Sequence, residues 1–291
     1  MPHHRQAGAT LYLLLLMAAA APTIAAPAAP APVTAILGAM PVETALLERT
    51  LTGRSERRIQ GVRFVTGALY GRRVVLAESG IGKVNAAMTT TLLIDHFKPA
   101  AVLFTGIAGG INPDLAPGDL VIGQKTVQHD FGAVVPEGFR TGPTPNPFRR
   151  RDNPLYFQAP ARLLTAAEGA ARDVKLARLG TGIDARMPRI TRGIIATGDV
   201  FVASSSRKTE LRKNFQADAV EMEGAAVAQV CWQLNVPCLV IRSLSDAADD
   251  HASRDLEQFM NVAARNSAML TTEIVKRLAP AAVGAPRRGF R

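Results

Sequence analysis

The chain has 291 residues, 47% hydrophobic and 20% charged, which excludes a disordered protein and leaves ample length for a buried core. Thirty-four Lys and Arg against 24 Asp and Glu give a formal charge of +10, which taken whole suggests a polyanionic partner such as nucleic acid or an anionic membrane face. Two cysteines, Cys231 and Cys238, exclude a disulfide-rich scaffold and a four-cysteine zinc site, and the five histidines form no H-x-x-x-H pair, so no metal centre of the H-E-x-x-H type is expected.

Residues 1–26 read as a signal peptide. Arg5 lies in a polar start, Leu11 to Ala21 is an apolar run of 11 residues, and small residues follow, with cleavage after Ala25 or Ala26. A bilayer span needs roughly 20 apolar residues, so the protein is expected to be periplasmic or secreted, with no integral membrane span after cleavage. Residues 27–32 form a Pro/Ala linker. Val33 to Leu37 reads as a buried strand, Pro41 suits a first helical turn, and Glu43 to Leu51 continue that helix. Val62 to Leu69 and Arg73 to Glu78 flank the hairpin signal Tyr70-Gly71. The turn Ser79 to Lys83 precedes a helix from Val84 to His96. Strands follow at Ala101 to Thr105 and Asp119 to Gly123, and the Pro-, Gly- and Arg-rich stretch Glu137 to Asn153 reads as a loop. A helix over Ala159 to Lys175 leads to strands at Ile190 to Thr197 and Ala219 to Met222. A helix from Gly224 to Leu234, a strand from Cys238 to Ser243 and a final helix from Leu256 to Leu278 complete residues 33–278. The basic tail 279–291 is expected to be disordered. Cys231 falls late on a helix and Cys238 in the next strand, so the pair is not expected to bridge. This alternation predicts one α/β domain over a largely buried sheet.

Ligands in open α/β sheets bind beyond the carboxyl ends of the strands, and four groups of polar residues fall there. Glu43 sits in the first turn of a helix, where the helix dipole alone would explain a carboxylate. Ser79-Gly80-Ile81-Gly82-Lys83 is a glycine turn without the spacing of a Walker loop or of G-x-G-x-x-G. Glu221 and Glu223 stand two apart on a strand entering an apolar segment, and burying both is costly unless they are paired or used. Asp246 follows Arg242 and Ser245 past a strand end, the usual place for an active acid, although an N-cap is the plain alternative. Carboxylates and one arginine without metal-ligand spacing fit general acid–base attack of water on an uncharged bond. No G-x-S-x-G elbow is present, which disfavours a serine hydrolase.

Six segments in order, ILGAMPVE (36–43), ESGIGKVNAA (78–87), FTGIAGGINPDLAPGDLVIG (104–123), ATGDVFV (196–202), AVEMEGAAVAQV (219–230) and NVPCLVIRSLSDAAD (235–249), resemble the 5′-methylthioadenosine/S-adenosylhomocysteine nucleosidases of the nucleoside phosphorylase-like superfamily. The resemblance implies a three-layer α/β/α fold with a central, mostly parallel mixed twisted sheet flanked by helices. It implies hydrolysis of the N-glycosidic bond of a purine nucleoside, without a cofactor. By the same resemblance Asp246 protonates the base, Glu43 activates water, Glu223 holds the ribose hydroxyls and Met222 contacts the sugar. Phe201 stacks on the purine, the Val202 backbone reads its edge, Ser245 orients the acid, and Ser79 and Arg242 place the water. Members are commonly homodimers, so a homodimer is expected. The chain departs from the family at Leu256, where an aromatic residue often covers the ribose. It departs again in the long segment Phe131 to Arg192, whose Phe139, Phe148, Tyr156 and Phe157 are candidates to line or cover a 5′ pocket.

Two other readings stay open. A phosphorylase of the same superfamily would need an anion site, for which Lys83 or an arginine of residues 131–192 could serve, but Glu43 would repel phosphate. A non-catalytic nucleoside-binding surface protein would fit the leader and tail but not three intact acids. Placing the charges weakens the polyanion reading. The leader contributes +1, residues 137–192 contribute +6 and residues 276–291 contribute +5, leaving −2 for the remainder, which carries the motifs. No nucleic-acid partner is expected.

Overall fold

The computed structural model describes residues 31–179 and 185–278. The expected signal peptide, most of the linker and the basic tail lie outside the described residues. Among those described, no helix is long and apolar enough to cross a membrane.

A ten-stranded mixed sheet is flanked by helices on both faces. Its centre is parallel: β1 (Thr34–Gly38) lies between β4 (Arg72–Glu78) and β5 (Ala101–Gly110), and β5 continues to β14 (Cys238–Asp246). The middles of β1 and β4 and the opening runs of β5 and β14 are apolar because both faces are covered. Alternate residues feed two cores. Ala35 and Leu37 of β1 pack with Val240 of β14 on one side, and Ile36 packs with Leu239 and Ile241 on the other. The first core is closed by α2 (Lys83–Phe97) and α5 (Gly224–Gln233). The second is closed by α1 (Pro41–Thr50), α3 (Ala161–Asp173) and α6 (Ala252–Arg277). Fully burying a Leu or Ile contributes roughly 1.5–3 kcal/mol, so these stripes set the strand register.

At one end the sheet curls on itself. β14 pairs with both β5 and β6 (Leu120–Gln128), β6 pairs with β12 (Ile190–Thr197), and β13 (Ala219–Glu221) joins β12 back to β5. The closure brings the carboxyl ends of β1, β5, β12, β13 and β14 close together.

The structure adds elements that lacked a hydrophobic signal. β2 (Thr52–Ile59) is exposed except at Ile59 and pairs antiparallel with β3 (Val62–Leu69). Its charges blunt a sheet edge and erase the alternation that would have marked a strand. The expected loop at 137–153 instead contains strands: β8 (Gly138–Thr141) pairs back onto β7 (Gly132–Val135), which precedes the loop, and β9 (Pro145–Asn146) pairs with β10 (Arg151–Asp152). Asn146 Oδ1 turns the latter by accepting the amides of Phe148 and Arg149 at 2.8 and 3.1 Å. β11 (Tyr156–Gln158) then pairs with β6. Beyond β12, α4 (Ser205–Phe215) buries only Leu211 and Phe215 and is capped by Ser204. Cys231 and Cys238 are free and buried, as their places on helix and strand led us to expect.

Candidate active site

One cleft of about 150 Å³ opens at the gathered strand ends. Glu43, Phe201, Val202, Met222, Glu223, Ser245 and Asp246, seven of the nine expected site residues, line it. Arg242 and Ser79 lie behind its wall, both buried.

Glu43 is the third residue of α1, a helix opened by Pro41. Its Oε2 accepts the amides of Ala39 at 2.6 Å and Met40 at 2.9 Å, so the capping explanation holds. Its other oxygen, Oε1, leaves the helix and accepts the Ile107 amide at 2.9 Å on β5. Gly106 makes this approach possible, since a Cβ there would collide with Glu43 Oε1 and Arg242 Nη1. Burial pushes the Glu43 pKa above the ordinary carboxylate value, while Arg242 and the three amides draw it back.

Arg242, on β14, is wholly buried and lies over the Phe104 ring at 4.1 Å. It gathers the two glutamates of β13 and its following corner. Glu221 Oε2 accepts Arg242 Nε at 3.2 Å and also pairs with Nη2, and Glu223 Oε2 lies 3.6 Å from Nη2. Nη1 has no hydrogen-bond partner among the described residues. Glu221 also accepts the amides of Glu223 and Gly224 and bonds the Thr197 hydroxyl, so it caps α5 and anchors the arginine. Glu223 is the N-cap residue of α5, past the strand end, and its Oε1 accepts the Gly82 amide at 2.8 Å. Burial first, then the Glu221 charge, raise its pKa to about 7 against the pull of Arg242.

Asp246 is the last residue of β14, because the strand runs three residues beyond the expected end at Ser243. Its Oδ2 accepts the Ser245 hydroxyl at 2.7 Å and its Oδ1 accepts the Ala248 amide at 2.8 Å. Burial raises its pKa, the charges of Asp255 and Asp249 push the same way, and the two hydrogen bonds oppose them. Across the cleft, Phe201 is half exposed and Val202 is buried. Both follow β12 in the loop before α4.

Ser79 donates its hydroxyl to Gly80 O at 2.9 Å, and its amide bonds Gly38 O at 2.8 Å, tying the ends of β4 and β1. Leu256 and Met260, one turn apart on α6, line the cleft. Phe139, Phe148, Tyr156 and Phe157 do not line it. Phe139 and Phe148 are exposed, and Phe157 borders a separate cavity beside Trp232. Glu221, expected to be paired or used, is paired with Arg242, whereas sequence reasoning gave no role to Phe104 or Ser267. Ser267, buried in mid-α6, bonds Thr105 Oγ1 at 2.7 Å and the Gly106 amide at 3.1 Å behind Glu43. A polar residue on the apolar stripe of a long helix was the available signal for it.

A family model of the Phosphorylase superfamily matches residues 33–276. The 5′-methylthioadenosine/S-adenosylhomocysteine nucleosidase of Anoxybacillus flavithermus is 41% identical over 245 residues, covering 84% of this chain and 98% of the relative. The chain belongs to the 5′-methylthioadenosine/S-adenosylhomocysteine nucleosidase family. It is therefore an N-glycosyl hydrolase acting on nucleosides. Two solved structures are similar to it. The Neisseria meningitidis nucleosidase in complex with methylthio-immucillin-A superposes with a TM-score of 0.73 at 40% identity, covering 84% of this chain and 99% of its own. The futalosine hydrolase of Helicobacter pylori gives 0.72 at 34% identity, covering 85% and 99%.

Proposed function

We propose that this nucleosidase hydrolyses 5′-methylthioadenosine, S-adenosylhomocysteine or a closely related adenine nucleoside, releasing the base. The observation that carries this reading is the convergence of Glu43, Glu223 and Asp246 on one cleft with their carboxylates in three different settings. Asp246, buried and without a cation, holds a proton and delivers it to the purine as the glycosidic bond breaks. Ser245 has one hydroxyl proton and two acceptors in reach, Asp246 Oδ2 and Ala108 O at 3.3 Å. It can therefore serve the acid in both protonation states. Glu43, held as a carboxylate by three amides, takes a proton from water attacking the anomeric carbon. Arg242 Nη1 is the donor left over to orient that water, and Ser79 supports the turn behind it. Glu223 and Met222 hold the sugar, Phe201 stacks on the base and the Val202 backbone reads its edge.

Hydrolysis fits better than phosphorolysis. The Lys83 ammonium is already bonded to Asp130 and Gln128, and the Glu43 carboxylate stands where phosphate would enter. We infer a homodimer from the apolar stripe Ile81, Val84 and Met88, which is exposed along the start of α2 beside the cleft. The leader supports export to the periplasm or beyond.

The deciding experiment incubates the pure protein with methylthioadenosine, adenosylhomocysteine, futalosine, adenosine and inosine, with and without phosphate, and follows the base by chromatography. Phosphate-independent release from the first two is expected. No base from any substrate, or release only with phosphate, overturns the reading. Preference for futalosine would move the substrate assignment to that relative's activity. Sedimentation of the wild type and of Val84→Asp tests the dimer, and sequencing the mature N-terminus from fractionated cells tests export.

A further inference from the structure

The start of α2 stands between the two walls of the cleft. Its first amides are both engaged by carboxylates: Gly82 N donates to Glu223 Oε1 at 2.8 Å, and Lys83 N donates to Asp199 Oδ1 at 2.7 Å. Gly82 takes φ +95° to present its amide this way, a backbone angle that favours glycine. The Lys83 ammonium reaches across to the end of β6, donating to Asp130 Oδ1 at 2.6 Å and Gln128 Oε1 at 3.1 Å. Asp130 Oδ2 in turn accepts the Asp199 amide at 2.8 Å. The bonds form a ring, Asp130 to Lys83 to Asp199 and back to Asp130. Asp199 is two residues before Phe201, and Gly82 precedes Lys83. One ring thus ties the loop carrying Phe201 and Val202 to the helix turn that holds Glu223.

The ring contributes little to stability. The Lys83 and Asp130 side chains retain 17% and 22% of their exposure, and solvent screens ion pairs so placed. Its consequence is geometric: loop, helix turn and strand end are fixed to one another at three points. A nucleoside touches the loop with its base and Glu223 with its sugar, so the spacing of these elements must match the substrate.

We propose that Asp130, acting through Lys83 and Asp199, is a positioning residue that sets the spacing between the purine-side loop 198–202 and the sugar-side carboxylate Glu223. The proposal rests on the functional reading above. Asp246 sits on β14, outside the ring, so the ring governs nucleoside binding and leaves the acid step alone.

The test compares Asp130→Asn, Lys83→Met and the double variant with wild type. Steady-state base release gives kcat and KM, and calorimetry with methylthio-immucillin-A gives a Kd independent of turnover. Either single variant is expected to raise KM and Kd about tenfold and leave kcat within about twofold, a loss of uniform binding. The pH profile of kcat stays in place, and the double variant is no worse than the worse single one, because the residues act as a unit. Unchanged KM and Kd in a folded single variant, or additive losses in the double, would overturn the proposal. Lys83→Met leaves the bond from the Asp199 amide to Asp130 intact and carries the test if Asp130→Asn does not fold. A wild-type protein that binds the analogue but releases no base defeats the functional reading, and the change in Kd still decides the ring.

Discussion

On the sugar-side wall of the cleft, Glu43, Glu221 and Glu223 surround one buried guanidinium, and backbone amides complete their hydrogen bonding. On the opposite wall, Asp246 is equally buried but has only the Ser245 hydroxyl and the Ala248 amide, with the charges of Asp249 and Asp255 beyond. Desolvation raises the pKa on both walls, and the difference lies in what opposes it. At Glu43 a cation and three amides oppose the burial and favour an anion, whereas at Asp246 only two hydrogen bonds oppose it and the neighbouring charges of Asp255 and Asp249 add to it. The contrast assigns opposite duties to chemically similar groups. In the function we propose, the sugar-side wall accepts a proton from water and holds hydroxyls, and the other wall donates a proton to the leaving base.

The strongest way to break the contrast is Asp246→Asn. It should lower kcat by about 10³-fold, ~4 kcal/mol, within the range for losing a general acid. It should also remove the high-pH limb of the rate profile, since an acid with a raised pKa loses activity as pH rises through that pKa. Isothermal calorimetry should still detect nucleoside binding, and a variant with full turnover would refute the acid role. Next comes Arg242→Met, which strips the sugar-side wall of its cation and leaves Glu221 and Glu223 buried together. A stability loss of about 3 kcal/mol is expected in urea titrations. A loss under 1 kcal/mol would mean that the amides alone satisfy the glutamates.

Much of this arrangement was legible in the chain. The parallel centre of the sheet showed itself in the apolar runs 35–37, 101–104 and 238–241, and seven of nine expected site residues do meet in one cleft. What stayed hidden had a weak local signal or none. β2 carries charge on both faces, and α4 buries only two side chains, so neither displays a period. Ser267 acts through tertiary hydrogen bonds to Thr105 and Gly106, and although Glu221 was marked as an acid needing a partner, spacing along the chain did not name Arg242 as that partner. Phe139, Phe148, Tyr156 and Phe157 were read by residue type alone, and none of them lines the cleft within the single chain.

A smaller effect sharpens the contrast within the sugar-side wall. Glu223 is raised from 4.5 to about 7, so the folded protein binds more protons than the unfolded chain between those values. Stability attributable to this residue is full below pH 4.5 and declines as pH rises to 7. From pH 5 to 8 the decline should be roughly 2 kcal/mol. Glu223→Gln should flatten that part of the curve measured by denaturant unfolding. An identical slope in the variant would show that Glu223 is ionised throughout.

The smallest effect belongs to Phe201, half exposed on the loop that the Asp130 ring holds. Base stacking on an aromatic side chain contributes about 1–3 kcal/mol, and half of this ring already faces protein, so Phe201→Ala should raise KM about tenfold. The acid on β14 is untouched, so kcat should change less than about twofold. Phe201→Leu separates the causes: it restores most of the apolar area without the ring face, and if stacking dominates it should recover only part of the lost affinity. Were kcat instead to fall tenfold at constant KM, the ring would be stabilising the protonated, departing purine more than the bound nucleoside. Phe201 would then belong with Asp246 on the leaving-group wall, and the division of labour between the walls would extend to an uncharged side chain.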